Sequence, residues 1–287
     1  MTGPATRVRR ATRTSAAGVI ARRVTLGAAA VMLAVIALAA LAPGVLATHD
    51  PLLTDVRASL QPPSGAHWFG TDQSGRDVYS RVVFGTGRSV GIGLLATGLA
   101  LLVGVIAGTL GAIAPRPVDA AAMRITDVLL AFPEFLLALL VVAVLGPGPV
   151  NVAVAVTLAA LPVYVRLARA RTRALSTTEY VEAARIVGVR APVVLATHVL
   201  PGVVASVSVL AVIGVGTSIL AAAGLSFLGL GPTEPTPEWG LMLSSGRNLL
   251  VQAPWVAVFP GLAITLTVVS VSVVGRALRA RSEERGA

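Results

Sequence analysis

Charge-free apolar runs alternate along the chain with short segments that hold most of the ionisable residues. Crossing about 30 Å of hydrocarbon takes roughly 20 residues of helix, and six runs approach that length. They are Val24 to Leu46, Ser89 to Ala114, Ala121 to Leu145, Val150 to Val165, Pro201 to Leu225 and Ala253 to Gly275. The first two are uncharged. The third carries Arg124, Asp127 and Glu134, and the fourth is short and closed by Arg166. The pattern predicts an all-α polytopic membrane protein with six transmembrane helices. An even number of crossings places both termini on one side.

The arginines indicate which side. Eighteen of the 23 lie in the N-terminal segment, the 114–124 turn, the 166–200 loop and the C-terminal segment. Segments 47–88, 146–149 and 226–252 hold the other five, together with Asp50, Asp55, Asp72, Asp77, Glu234 and Glu238. The positive-inside rule then puts both termini in the cytoplasm. The expected organisation is a cytoplasmic tail (1–23), a first anchor (24–46) and an extracytoplasmic loop (47–88). A five-helix core (89–275) containing the 166–200 loop follows, then a second tail (276–287). The early arginines and Val45-Leu46-Ala47 also allow a cleaved leader. Its apolar region would be about 7–15 residues, against 23 in this run, so an uncleaved anchor is expected.

Composition narrows the function. Hydrophobic residues make up 55% and charged ones 13%, against about a quarter charged in a soluble domain. Mean hydropathy is +0.83, which excludes a soluble two-domain enzyme. Every basic residue is Arg, so neither a P-loop lysine nor a Schiff-base lysine is present. Without Cys there is no disulfide, thiolate site or Cys nucleophile. His49, His67 and His198 stand in no metal-ligand spacing, so no metal or cofactor is expected. A charge of +10 would suggest nucleic acid for a soluble protein; arginines flanking apolar runs point to the bilayer instead.

Within the third run, Asp127 and Glu134 are seven residues apart and are expected to share one helix face, with Arg124 placed to pair with Asp127. Pro133 should bend the helix. Buried ionisable groups at membrane depth line wet paths or make structural pairs. Glu134 and Asp127 are therefore translocation-path candidates, the alternative being an Arg124–Asp127 pair and a hydrogen-bonded Glu134. A secondary transporter using both acids as proton carriers would show an inverted repeat, and residues 1–145 and 146–287 show no convincing one. Gly104 and Gly108 form a G-x-x-x-G that supports close helix packing, within the chain or against a partner.

In the 166–200 loop, Ser176 with Glu179 fits a capping box, and Gly188 and Pro192 end the short helix it starts. Such a helix suits docking into a partner's groove; a merely solvated loop helix is the other reading. Glu182-Ala183-Ala184, Gly188, His198 and Leu200-Pro201 resemble the EAA loop of bacterial ABC importer permeases. The family pattern usually has Ile where His198 stands, and His with Leu-Pro is similar to the peptide and nickel branch. Trp68-Phe69-Gly70-Thr71-Asp72-Gln73-Ser74-Gly75-Arg76-Asp77 resembles that branch's outer-loop signature. Leu225 to Gly231, Trp239-Gly240 and Ala253-Pro254-Trp255 agree with it in order.

The resemblance implies the second of two paired permeases in a dipeptide, oligopeptide or nickel-type importer of the bacterial inner membrane. The chain would not be an enzyme: two separate ATPase subunits would hydrolyse ATP. A sibling permease would complete the path for peptides or a related small solute. The EAA helix would sit in an ATPase groove, and an extracellular solute-binding protein would dock on 47–88 and 226–252. Gly70, Thr71, Asp72, Gly75, Arg76 and Asp77 would contact that protein or order their own loop, Asp72, Arg76 and Asp77 pairing with one another. Pro232, Pro235 and Pro237 would stiffen the last outer segment, and Trp239 and Trp255 would anchor it at the membrane interface.

Reporter fusions at Gly65 and Glu234 should read outside, and fusions at Thr178 and the C-terminus inside. Finding Thr178 outside would overturn this orientation and the coupling role of its loop.

Overall fold

The computed structural model describes residues 16–285; Arg7, Arg9, Arg10 and Arg13 of the expected cytoplasmic tail lie outside the described residues. The described chain is all-α. The helices are α1 (Ala16–Leu41), α2 (Pro43–Leu46), α3 (Val78–Ile113), α4 (Arg116–Leu130), α5 (Glu134–Leu145) and α6 (Pro149–Ser176). They continue with α7 (Glu179–Ile186), α8 (Ala191–Val194), α9 (Leu200–Phe227), α10 (Trp239–Gly246) and α11 (Trp255–Arg285). Helices α1, α3, α6, the α8–α9 unit and α11 are each long and apolar enough to cross a membrane.

The third expected crossing is broken. Helices α4 and α5 meet at 96°, because Pro133 lacks an amide hydrogen and pushes Phe132 out of the helical region. At 12 residues, α5 rises only about 18 Å. The pair nevertheless connects opposite ends of the bundle. Gly104 packs on Tyr164, Gly108 on Ala168, and Thr172 Oγ1 donates to Thr109 Oγ1 at 3.3 Å. Residue numbers rise together along this contact, so α3 and α6 run parallel and the chain between them must return across. Helix α9 runs antiparallel to both: Gly93 faces Ile219, and Gly214 faces Tyr164. The start of α1 and the end of α11 are neighbours, Thr25 lying beside Arg276. They share one side of the bundle with α7.

Helices also outrun the apolar segments that predicted them. Asp77 caps α3, its side chain accepting from Ser80 N at 2.8 Å, so the helix starts well before Ser89. Helix α6 continues past Val165 through four arginines to Ser176. Hydropathy marks where hydrocarbon ends, whereas helical hydrogen bonding persists into the polar layer. Val31, Val35, Leu94, Leu102, Ile106 and Leu266 stand exposed on the outside, the face expected of helices solvated by lipid.

Small residues set the helix spacing. A Cβ on Gly108 would collide with Val165 O, Ala168 Cβ and Arg169 N, whereas Gly98 faces open space. The G-x-x-x-G thus acts within the chain. Gly108→Ala should destabilise by about 1–3 kcal/mol through overpacking, and Gly98→Ala should be neutral or stabilise by about 0.5–1 kcal/mol. Thermal midpoints of the purified protein in detergent should move in these opposite directions.

Candidate functional site

A cavity of about 130 Å³ lies where α5, α6 and α9 meet, lined by Glu134, Tyr164, Gly214, Thr217 and Ser218 among apolar side chains. The break after Pro133 delivers Glu134 here as the first residue of α5. Tyr164 comes from α6, and its hydroxyl lies so close to Gly214 that a Cβ there would strike it. Thr97 Oγ1 donates to Ser218 Oγ at 2.9 Å, fixing the floor on α3. Among the described residues nothing pairs with the Glu134 carboxylate, and the residue is exposed on the chain's flank. Within this chain, then, the Glu134 carboxylate makes no structural hydrogen bond.

Asp127 is elsewhere. It lies on α4, exposed, in an ion pair with Arg166 of α6 rather than with Arg124. The 96° break removes the shared face with Glu134, since helical spacing across seven residues applies only within one helix. A second acid, missed in sequence, completes the α4–α6 link. Asp119 accepts from Arg169 Nε at 2.5 Å and Nη2 at 2.6 Å, and from Arg173 Nη2 at 2.5 Å. Such a fork-like clamp is directional and strong. The only sequence signal was the spacing of Arg169 and Arg173, four apart on one face of α6.

On the opposite side, the outer-loop signature orders its own loop. Asp72 Oδ1 accepts from Ser74 N at 2.8 Å and Arg76 N at 3.0 Å, forming a tight turn. Gly75 has φ +72° and lies against the Asp55 backbone, which leaves no room for a side chain. Gly70 packs against Gln61 O and the Trp255 indole, and Thr71 Oγ1 donates to Ala58 O. Arg76 and Asp72 are paired at 3.8 Å. Asp77 does not join them: Oδ2 caps α3, and Oδ1 lies 2.9 Å from His67 Nδ1. His49 completes that group, the three donor atoms lying within 4.8 Å of one another. Histidines that are scattered in sequence are thus partly gathered here: loop folding closes a gap of 18 residues that spacing rules do not register.

This loop is bound to segment 228–238. Arg81, its side chain 2% exposed, donates from Nη2 to Glu234 Oε2 at 3.1 Å and from Nη1 to Pro235 O at 3.1 Å. Arg76 Nη1 reaches the same Glu234 oxygen at 2.9 Å. Glu238 caps α10 through Gly240 N at 2.9 Å and Leu241 N at 2.8 Å, and accepts from Ser89 Oγ at 2.9 Å. Trp239 is no membrane-interface anchor: it is 1% exposed and donates from Nε1 to Val82 O at 2.9 Å. Trp255 is likewise occupied, donating to Thr71 O at 3.0 Å. Each indole N–H finds a backbone carbonyl, Trp239 fully buried and Trp255 half-buried.

On the α7 side, the helix starts two residues later than the capping box predicts. Ser176 is the last residue of α6, and Thr178 is the N-cap, its hydroxyl donating to Leu175 O at 2.6 Å. Val181 and Ala184 are buried beneath α7, while Glu182, Ala183, Arg185, Ile186 and Val187 are exposed. Gly188, at φ +83°, closes the helix: Gly188 N donates to Arg185 O at 3.0 Å and Val189 N to Ala184 O at 3.1 Å. These two bonds define a Schellman motif. His198 lies in a π-helical turn, Leu195–Val199, and its carbonyl accepts from Tyr180 Oη at 3.2 Å. Leu200 and Pro201 then open α9.

The family model for the binding-protein-dependent transport system inner membrane component matches residues 100–285. The chain is 45% identical over 217 residues to the glutathione transport system permease protein GsiD of Pectobacterium atrosepticum, covering 76% of this chain and 72% of that one. It is 40% identical over 242 residues to the dipeptide transport system permease protein DppC of Alkalihalophilus pseudofirmus, covering 82% and 80%. A probable D,D-dipeptide transport system permease protein, DdpC of Escherichia coli, is 40% identical over 234 residues, covering 82% and 78%.

The cavity makes a specific prediction. Gly214→Ala should press on the Tyr164 hydroxyl at a cost of about 1–3 kcal/mol and lower solute uptake. Adding Tyr164→Phe removes the struck oxygen and should restore most of both uptake and thermal midpoint. Uptake unchanged in the single variant would show that the cavity has no part in transport.

Proposed function

From the premise that the chain belongs to the binding-protein-dependent transport system inner membrane components and is a transmembrane permease subunit of an ABC importer, we propose that it forms half of the path for a small peptide-like solute. A sibling permease supplies the other half. Two ATPase subunits bind on the cytoplasmic side, which holds both termini and α7, and an extracellular solute-binding protein docks on the outer cap. The relatives' solutes, glutathione and dipeptides by name, carry ammonium and carboxylate groups. An unpaired carboxylate at Glu134, in a cavity on the chain's flank, suits an ammonium group passing between two permeases. Asp127 serves instead as a structural ion pair with Arg166. That pairing, on a different helix from Glu134, removes the case for a proton-carrying secondary transporter.

The observation that carries the coupling role is α7. It is held rigidly from below by Val181 and Ala184, and it presents Glu182, Ala183, Ile186 and Val187 outward. Ile186 and Val187 are 81% and 78% exposed, an unusual arrangement for a helix meant only to be solvated. In the proposed mechanism this ridge fills an ATPase groove. ATP-driven closure then moves α7 as a rigid body, and α8, the π turn and α9 carry the movement to Thr217 and Ser218 in the cavity wall.

Gly188 tests this. A Leu at its left-handed φ costs about 1–2 kcal/mol, whereas Asn tolerates that conformation. Gly188→Leu should insert normally but lose most of the co-purifying ATPase and the solute-stimulated ATP turnover in proteoliposomes; Gly188→Asn should keep both. Glu182→Ala should weaken turnover more mildly, because an exposed charge contact contributes about 0–1 kcal/mol. Full ATPase recovery and turnover with Gly188→Leu would refute α7 as the coupling element.

A further inference from the structure

His49, His67 and Asp77 converge at the start of α3, on the opposite side of the bundle from α7 and outside both the cavity and the coupling surface. We propose that these three side chains form a binding site for a divalent transition-metal ion of the Zn²⁺ class. The proposal uses nothing from the transport reading.

Two of the ligand separations lie near those around such an ion, and the widest, up to 4.8 Å, closes if the exposed His49 ring turns inward. Two ligands on a tetrahedral ion with bonds of about 2.0–2.1 Å stand about 3.4 Å apart. His67 Nδ1 lies 2.9 Å from Asp77 Oδ1, and His49 Nδ1 lies 3.9 Å from the same oxygen, so both distances bracket that value. The His49 and His67 rings face each other with centroids 4.8 Å apart. Two imidazoles and one carboxylate favour Zn²⁺, Ni²⁺ or Cu²⁺ over Mg²⁺ and Ca²⁺, which prefer all-oxygen shells. Three protein ligands leave a fourth position for water.

The surroundings resemble a supported metal site. The second Asp77 oxygen is held by Ser80 N at 2.8 Å, and Ser80 Oγ accepts from His49 N at 3.0 Å. The Ser80 amide orients the ligating carboxylate as an outer-shell hydrogen bond does, while the His49 backbone bond places the segment that carries its ring. Side-chain exposure falls from 37% at His49 through 19% at His67 to 1% at Asp77, so an ion can enter from solvent and meet its most fixed ligand last. Bound there, it would tie the segment after α2 to the signature loop and to the first turn of α3, stiffening the outer cap.

The test uses the full chain in nanodiscs, purified on a histidine-free tag, stripped with EDTA and titrated with Zn²⁺ by calorimetry. The expected result is one ion per chain at micromolar affinity or tighter, with a raised thermal midpoint and no competition from Mg²⁺ or Ca²⁺. His49→Ala should weaken binding about ten-fold or more without unfolding, because its side chain is on the exposed edge and its tether to Ser80 is backbone. Asp77→Asn, whose amide oxygen still caps α3, should weaken binding similarly. His198→Ala should change nothing. No saturable binding below about millimolar Zn²⁺, or affinity indifferent to His49→Ala, would overturn the proposal.

Discussion

A guanidinium almost sealed from water governs one end of this protein. Arg81 sits in the first turn of α3 with a side chain 2% exposed, and a buried charge left without partners costs about 3–5 kcal/mol. Its partners come from three places: Pro51 O in the segment after α2, Asp72 in the signature loop, and Glu234 with Pro235 O near α10. Satisfying one arginine therefore fixes loops more than 150 residues apart in sequence. The other cap contacts follow from that placement. Glu234 also receives Arg76, Ser89 bridges Glu238 and the Trp239 amide, and the Trp255 indole closes on Thr71 O.

The opposite end is held by a different device. Asp119 and Asp127 lie eight residues apart on α4 and meet Arg169, Arg173 and Arg166 in reverse order along α6. That arrangement runs α4 antiparallel to the second half of α6. Helix α5 then packs along the first half through Ala138 and Val142 against Val152 and Val156. The turn at 131–133 is exposed and leads directly into Glu134, which lines the cavity. The break also releases Glu134 from the face it would occupy in a straight helix, and so decides the chemistry of the cavity.

Between the two ends, the bundle is held by small residues rather than by large side chains. Gly93, Gly104, Gly108 and Gly214 each face a partner that a methyl group would strike. In lipid, where apolar surface gains nothing by leaving solvent, close backbone approach supplies the packing energy. Helix α9 joins both ends. It begins beside the π turn that follows α7, contributes Gly214, Thr217 and Ser218 to the cavity, and ends at the cap, where Ala223 and Ser226 crowd Gly240 of α10.

The sequence by itself determined the all-α class, the apolar crossings, the bend at Pro133 and the family-like motifs of both loops. Those features are local: hydrocarbon thickness sets run length, charge is excluded from the runs, and proline acts on its own neighbours. The parts decided only by the tertiary structure are pairings. Asp127 chose Arg166 over the nearer Arg124, Trp239 turned inward to Val82 O, Asp119 found two arginines fifty residues on, and His49 met His67 and Asp77. Each depends on how helices are rotated about their axes and how far loops fold back, and neither hydropathy nor residue spacing encodes a rotation.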